Sequence, residues 1–253
     1  MISNRWGGVA LGAVGALFAM YPILRPYTED EITMAGAAAW ASPAWLLSHM
    51  FGTVAFILLA PAILVWQRHA LPASSWGTAR ADGGNAVRAG GAARAAVALA
   101  WLGSVLVLPY YGAETFALGA AGEHAVTVGD VEVLAAVESF RLAPVPMTMF
   151  GVGLLALAGA GIALIVSTRP GAGLARWGGV LAGLGLATYL PQFFVPAAGR
   201  IGHGLVLGLG LVLLGTSMFG RSANSGRTPG AGVRSQLLHP GGRLGARDAR
   251  VND

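Results

Sequence analysis

The sequence predicts an all-α protein, a polytopic membrane bundle of six transmembrane helices. The chain of 253 residues is 55% hydrophobic and only 11% charged, whereas soluble domains carry about 25% charged residues. Several stretches without charge also reach the roughly 18 residues that indicate a membrane-spanning helix. The sequence contains no cysteine, which excludes disulfides, thiolate metal sites and a cysteine nucleophile.

Apolar windows place the six spans, each about 20 residues long, which is enough to cross about 30 Å of hydrocarbon at about 1.5 Å per residue. They are residues 6–23, 44–66, 95–118, 145–166, 177–195 and 201–219. The first span lacks the small-residue cleavage site of a signal peptide and runs on into further spans, so we expect it to be retained. Residues 1–220 therefore form the predicted transmembrane domain.

The loops predict the orientation of the bundle. Arginines lie before the first span, in the second and fourth loops and in the tail, whereas the first and third loops carry most of the acidic residues. The positive-inside rule then places both termini in the cytoplasm, with the protein in the plasma membrane. The Gly- and Arg-rich tail, residues 221–253, lacks apolar periodicity, so we expect it to be disordered, and residues 74–91 have a similar composition. In the third loop, residues 131–141 predict a short helix in which Glu138 pairs with Arg141.

Two spans begin with the same five residues. Arg-Trp-Gly-Gly-Val opens the first span at Arg5 and the fifth span at Arg176. Each of these spans ends near a tyrosine and a proline, and each next span begins with a proline followed by a histidine, His49 or His203. Either spans one and two are repeated as spans five and six, as parallel hairpins, or helices rich in Gly and Ala resemble each other by composition alone.

Glu114 stands in an otherwise apolar segment of the third span, where a carboxylate usually marks proton chemistry or a substrate path. Counting from the cytoplasmic start of that span places Glu114 in the outer third of the bilayer, at the depth of His49 and His203. Further side chains at a similar depth are Trp45, Tyr110, Tyr111, Phe116, Tyr189, Gln192 and Arg200. The sequence thus predicts an aromatic-walled chamber around one carboxyl group, with a bend at Pro109 opening space beside it.

A structural interpretation of the same residues stays open. Glu114 would then pair with Arg200 or a histidine and only hold helices together, and the tyrosines and tryptophans would form an interfacial belt. Metal-dependent chemistry is not expected, because the chain has no Asp-x-x-Asp pair for magnesium diphosphate, no phosphate loop and no His-Glu-x-x-His helix. The basic residues reflect composition rather than recognition, so we expect no nucleic-acid partner.

Short motifs in this sequence resemble those of a known group of proteins. They are Arg25-Pro26 before acidic residues, Ser48-His49-Met50-Phe51-Gly52, Tyr111-Gly112-Ala113-Glu114-Thr115-Phe116, and Arg200 to His203. Residues 5–220 resemble small actinobacterial membrane proteins, some of them similar to the integral-membrane terpene cyclases of bacterial indole-sesquiterpene pathways. The resemblance implies cyclisation of a linear prenyl or meroterpenoid chain, started by protonating a terminal alkene or epoxide, without a metal or other cofactor.

The resemblance also implies roles for individual residues. Glu114 would be the acid, because a carboxyl group desolvated among aromatic rings favours its protonated form, and His49 or His203 would orient it or remove the final proton. The substrate would contact Trp45, Phe116, Tyr110, Tyr111, Tyr189, Gln192 and Arg200. Aromatic faces would stabilise the carbocation by about 2 kcal/mol per desolvated contact. A second carboxylate, common in the fungal relatives, would have to come from Glu138 or Asp30.

Two other functions account for the same residues. In a proton-coupled transporter or channel, Glu114 and the histidines would relay protons. In a haem protein, His49 and His203 would be the two axial ligands. The expected partners are membrane lipid and, for the cyclase, a hydrophobic prenylated small molecule.

Overall fold

The computed structural model describes residues 4–28, 32–70 and 84–222, and in these ranges the chain is helical with no strand. The helices are α1 (Asn4–Leu24), α2 (Met34–Trp40), α3 (Pro43–Ala70), α4 (Gly84–Gly112), α5 (Gly119–Val128), α6 (Glu132–Arg141), α7 (Pro144–Thr168), α8 (Gly173–Ala187) and α9 (Ala197–Ser222). A π-helical turn, Ala113–Leu118, joins α4 to α5, and a 3-10 turn, Pro191–Phe194, precedes α9. The predicted all-α class is confirmed.

Five helical segments are long and apolar enough to cross a membrane. They are Arg5–Leu24, Pro43–Ala70, Arg88–Val128, Pro144–Thr168 and Ala197–Phe219. The predicted span 177–195 is shorter than expected, because α8 has 15 residues and ends at Ala187, a length of about 22 Å. Pro191 lies just beyond this end, and proline lacks the N–H that a continuing helix would need.

The third predicted span, 95–118, is shorter than the helical segment in the structure. The helical rod continues through the π-helical turn to Val128, and its 41 residues extend about 60 Å, twice the thickness of the hydrocarbon layer. The chain is helical from Gly84, so the expectation of disorder was wrong for residues 84–91, whereas residues 71–83 and the tail from 223 onward lie outside the described ranges. The predicted helix at 131–141 is confirmed as α6, with Glu138 and Arg141 paired.

The long helices and α8 form a ring in which each packs against its neighbours in the chain, and α1 closes the ring against α9. Neighbours alternate in direction. The start of α1 lies beside the end of α9, where Gly7 faces Met218, while the end of α1 at Tyr21 lies beside His49, which is near the start of α3. Both ends of the described chain therefore lie at one end of the bundle, the terminal end, and Glu114 lies toward the other.

Three short helices form a second, smaller core beyond the ring. Helices α2, α5 and α6 pack around Trp40, Leu118 and Leu134, with Trp45 of α3 completing the cluster. We call α2, α5 and α6 the cap. The turn between α4 and α5 is thus the point where the bundle core meets the cap core, and it carries Glu114.

Glycines allow α1 and α9 to approach closely. A Cβ added at Gly15 would lie 2.5 Å from the carbonyl oxygen of Gly208, whereas one added at Gly12, on the same helix, would meet nothing within 4 Å. Small residues at such crossings are what let helices pack in lipid, where burial of apolar surface drives little association. Gly8 and Gly179 occupy equivalent positions in the sequence repeat, and both lie at close helix contacts. Gly8 contacts Gly215 of α9, and Gly179 contacts Thr168 of α7.

We expect Gly15→Ala to destabilise the protein by about 1–3 kcal/mol, because the added methyl group would force α1 away from α9. The matched variant Gly12→Ala should be neutral or slightly stabilising, since alanine favours a helix over glycine and no neighbour is displaced. Thermal unfolding of both variants in detergent measures the difference. Equal melting temperatures would show that the α1–α9 crossing tolerates a wider separation.

Candidate functional site

The π-helical turn exposes one backbone carbonyl to a side chain of another helix. A π turn inserts one extra residue into an α-helix and often occurs at functional sites. Here the indole N–H of Trp45 donates to the carbonyl oxygen of Glu114 at 2.8 Å, and the hydroxyl of Thr115 donates to the Tyr111 carbonyl at 2.6 Å. Neighbouring side chains thus occupy the polar backbone groups of the turn, and they fix the position of Glu114.

The carboxylate of Glu114 is buried and contacts two basic side chains. Its residue is only 4% exposed. Oε1 accepts a hydrogen bond from Arg141 Nη1 at 2.6 Å, and Oε2 lies 3.4 Å from His49 Nε2. Arg141 also binds the carboxylate of Glu138, so one guanidinium from the cap bridges two acidic side chains. Glu138, expected as a second carboxylate, reaches the site through Arg141, whereas Asp30 lies outside the described residues.

The hydrogen bonds of His49 show which of its ring nitrogens carries a hydrogen. Nδ1 lies 2.8 Å from the carbonyl oxygen of Trp45, and because a carbonyl only accepts, Nδ1 must carry a hydrogen. A neutral His49 would then present the lone pair of Nε2 to the carboxylate of Glu114. Nε2 forms no hydrogen bond with the described residues, and it lies 3.4 Å from Oε2 of Glu114. The structure thus places an imidazole nitrogen and a carboxylate oxygen next to each other inside the protein.

A second arginine adds positive charge to the same cluster. Arg25, at the end of α1, is 8% exposed; its guanidinium lies 5.1 Å from the ring centroid of Trp45, and its Nη1 donates to the Tyr21 hydroxyl at 3.4 Å. Burial alone would lower the pKa of Arg25, but Tyr21 and Glu114 favour the charged form and raise the pKa above its usual value. The pKa of Arg141 is raised in the same way: burial lowers it, and Glu114 more than compensates.

Aromatic rings surround this polar centre. Trp45 lies 4.1 Å from the His49 ring, Tyr21 lies 5.4 Å from it and Tyr111 lies 6.1 Å from it, all between centroids. Tyr110 stacks on Phe150 at 4.1 Å, and the Arg141 guanidinium lies 5.8 Å from the Tyr110 ring. The predicted wall residues Trp45, Tyr110 and Tyr111 therefore do lie beside Glu114 and its partners.

The other predicted site residues lie in a separate cleft between α1, the 3-10 turn and α9. Gln192, Arg200, His203 and Tyr189 line this cleft, which we call the Gln192 cleft. Three tyrosines separate it from Glu114. Tyr21 lines the cleft and contacts His49, while the Tyr111 hydroxyl lies 3.2 Å from that of Tyr189, whose ring lies 5.3 Å from His203. The single predicted chamber is thus two sites joined by phenol groups.

Two of the predicted site residues do not lie beside the Glu114 carboxylate. Phe116 is 62% exposed, because it follows the buried Glu114 by two residues and so lies on the opposite face of the helix. Arg200 does not pair with Glu114; it donates to the carbonyl oxygens of Val195 and Phe193 and lies 5.9 Å from the Tyr27 ring. Pro109 lies inside α4, and the irregularity appears four residues later, at Ala113.

Sequence reasoning missed Arg141 and Arg25 as partners of Glu114. The sequence does mark both residues, because each is an isolated arginine in a loop whose other charged residues are acidic. For haem ligation, His49 and His203 would each have to release Nε2, which faces Glu114 in one case and lies 2.7 Å from the Gly185 carbonyl oxygen in the other. Within residues 4–28, 32–70 and 84–222, no group of three His, Cys, Asp or Glu side chains could hold a metal ion.

Comparison with protein-family models, with curated protein sequences and with solved structures finds no match for this chain.

Proposed function

We propose that the chain crosses the plasma membrane six times, with α8 as the sixth span and both termini in the cytoplasm. The placement of both described chain ends at the terminal end supports an even number of crossings, and five long helices alone would be odd. The arginines near that end support a cytoplasmic location. The contacts at the Arg-Trp-Gly-Gly-Val repeats support duplicated hairpins: Gly7 faces α3 and Gly178 faces α9, in each case the next span along the chain.

We further propose that the protein is a metal-independent membrane terpene cyclase. The observation that carries this proposal is the 3.4 Å contact between Nε2 of His49 and Oε2 of Glu114 inside a shell of aromatic rings. Brønsted-acid cyclisation needs a proton that is kept away from water and can be delivered to a carbon–carbon double bond or an epoxide. It also needs aromatic faces, which attract a positive charge.

In this mechanism the pair delivers its proton to the terminal alkene or epoxide of a linear prenyl chain, and the chain then cyclises through carbocations. Trp45, Tyr110 and Tyr111 are the rings placed to stabilise those cations. The last cation loses a proton to the same pair, so the pair is restored and the reaction is an isomerisation that consumes no co-reactant. Arg141 favours the carboxylate of Glu114 and hence helps this final deprotonation.

Substrate entry has to move side chains, because the Gln192 cleft has a volume of only about 10 Å³, room for about one water-sized group. The cap is the part best placed to move. It has its own small core, and it binds the Glu114 carboxylate through Arg141. Displacing α6 would remove the guanidinium from Glu114, favour the protonated acid and open the aromatic surface at the same time.

The test is an assay of membranes from an expressing strain with farnesylated and epoxidised prenyl substrates. We expect the wild-type protein to form cyclised product and Glu114→Gln to lose it almost completely, since the amide cannot donate an acidic proton. The control is Phe116→Leu, a change at an exposed side chain two residues away that should leave product formation unaltered. Wild-type turnover by a folded Glu114→Gln variant would exclude this mechanism.

A proton-coupled transporter or channel is the second candidate, and one observation favours it. Glu114 is already ion-paired in a closed core, an arrangement in which proton binding could switch the protein between two states. Proton flux into liposomes that contain the purified protein distinguishes the two candidates. A transporter should show flux that Glu114→Gln abolishes, whereas a cyclase should show none.

A further inference from the structure

We infer that the Gln192 cleft is a binding site for the hydroxyl group of a lipid-soluble alcohol. This inference deepens the proposed function, since the occupant would be the polar end of the same amphiphilic substrate. It rests on that function only for the identity of the occupant. The binding site itself follows from the polar side chains of Gln192, Arg200 and His203, which line the cleft together.

Gln192 is the strongest of these groups. It is 8% exposed and its side chain lines the cleft, which leaves its amide open to water or a ligand rather than sealed in the core. A buried amide left without a partner costs about 1–3 kcal/mol, so such groups are normally satisfied by protein, water or ligand. The cleft is where a partner can reach it.

His203 supplies the complementary group. Its Nε2 lies 2.7 Å from the Gly185 carbonyl oxygen, so Nε2 carries the hydrogen, and in the neutral ring Nδ1 is an acceptor. Arg200 supplies further donors, because its two hydrogen bonds to backbone carbonyls leave three of its five N–H groups unused. The cleft therefore offers donors from Arg200 and Gln192 together with an acceptor on His203.

A hydroxyl group fits both the size and the polarity of this site. It donates one hydrogen, as Nδ1 of His203 requires, and it accepts from Gln192 and Arg200. The volume of about 10 Å³ suits a single oxygen-bearing group and is too small for a phosphate with its four oxygens. Phe18 and Leu207 line the same cleft but are each only 1% exposed, so the cleft holds the hydroxyl end of the alcohol and not its carbon chain.

Binding of radiolabelled farnesol to the protein in detergent tests this inference, with farnesyl methyl ether as the matched probe. Farnesol should bind at least tenfold more tightly than the ether, which cannot donate a hydrogen bond; a tenfold ratio is about 1.4 kcal/mol. Gln192→Ala should weaken farnesol binding about tenfold. Phe194→Ala, in the same turn but 83% exposed, should bind like wild type.

Other outcomes would overturn the inference. Equal affinity for the alcohol and the ether would mean that only apolar contacts are made, and unchanged binding by Gln192→Ala would mean that the amide serves water alone. Glu114→Gln separates this result from the proposed function, because it should lose turnover and still bind farnesol. If the wild type binds farnesol as described but forms no product, the cyclase proposal fails and the hydroxyl site stands.

Discussion

Replacing Arg141 by methionine is expected to destabilise the protein by about 3 kcal/mol, the lower end of the range for breaking a buried ion pair. The variant keeps the apolar stem of the side chain but leaves the carboxylate of Glu114 without its 2.6 Å hydrogen bond. His49 and Arg25 remain nearby, which is why we expect the lower end. Unfolding by SDS titration, followed by circular dichroism, measures the free energy of unfolding.

Two further variants show whether the loss comes from the ion pair. Arg169→Met removes an exposed arginine at the terminal end and should unfold like wild type. Adding Glu114→Gln to Arg141→Met should recover stability, because a neutral amide no longer needs the guanidinium, and the double-mutant cycle should give a coupling energy of about 1–3 kcal/mol. A coupling energy near zero would mean that Arg141 holds the cap by packing alone.

The expected loss also bears on how the cap closes. Trp40 and Leu134 give the cap its own apolar core, and its ionic link to Glu114 ends in the bundle. A substrate or a proton that neutralises Glu114 would remove that link and leave the cap core intact. Trp45 of α3 is also part of the cap core, so losing the ionic link would release α6 from Glu114 and would not by itself separate the cap from the bundle.

The sequence predicted the helices well because their signals are local. Apolar runs predicted six spans, of which five correspond to helical segments that are long enough to cross a membrane, and the charge pair Glu138–Arg141 marked α6 correctly. The missed features depend on tertiary packing. The distance of α6 from Glu114 depends on how the cap folds, and nothing in residues 131–141 specifies it, so the sequence paired Arg141 with Glu138 and not with Glu114.

The sequence also did not show which side chains of the third span face the protein interior. The segment around Glu114 has small residues on every side, so hydropathy does not identify its buried face. In the structure Tyr111, Glu114, Thr115 and Leu118 lie on one buried face, and Phe116 is exposed on the other. The indole of Trp45 binds the Glu114 carbonyl on the buried face, and a contact between residues 69 positions apart has no local signal.

Replacing His49 by phenylalanine is expected to lower cyclisation about 100- to 10,000-fold, the usual contribution of a positioned acid or base. Phenylalanine fills a similar volume between Trp45 and Tyr21, so the aromatic packing should survive, while the imidazole nitrogen that faces the Glu114 carboxylate is lost. The double variant His49→Phe/Glu114→Gln should be no slower than the slower single variant, because residues that act as one unit do not contribute additively. Initial rates of product formation, measured in membranes with equal amounts of folded protein, provide the comparison.

His203→Phe separates the two histidines that the sequence could not rank. Its ring lies beyond Tyr189 and binds the Gly185 carbonyl, so it has no contact with the Glu114 proton. This variant should raise KM through the Gln192 cleft and leave kcat within a few-fold of wild type, since uniform binding affects KM alone. If His203→Phe lowers kcat as much as His49→Phe, the proton path runs through the three tyrosines to the cleft, and the His49–Glu114 pair is one end of a longer relay.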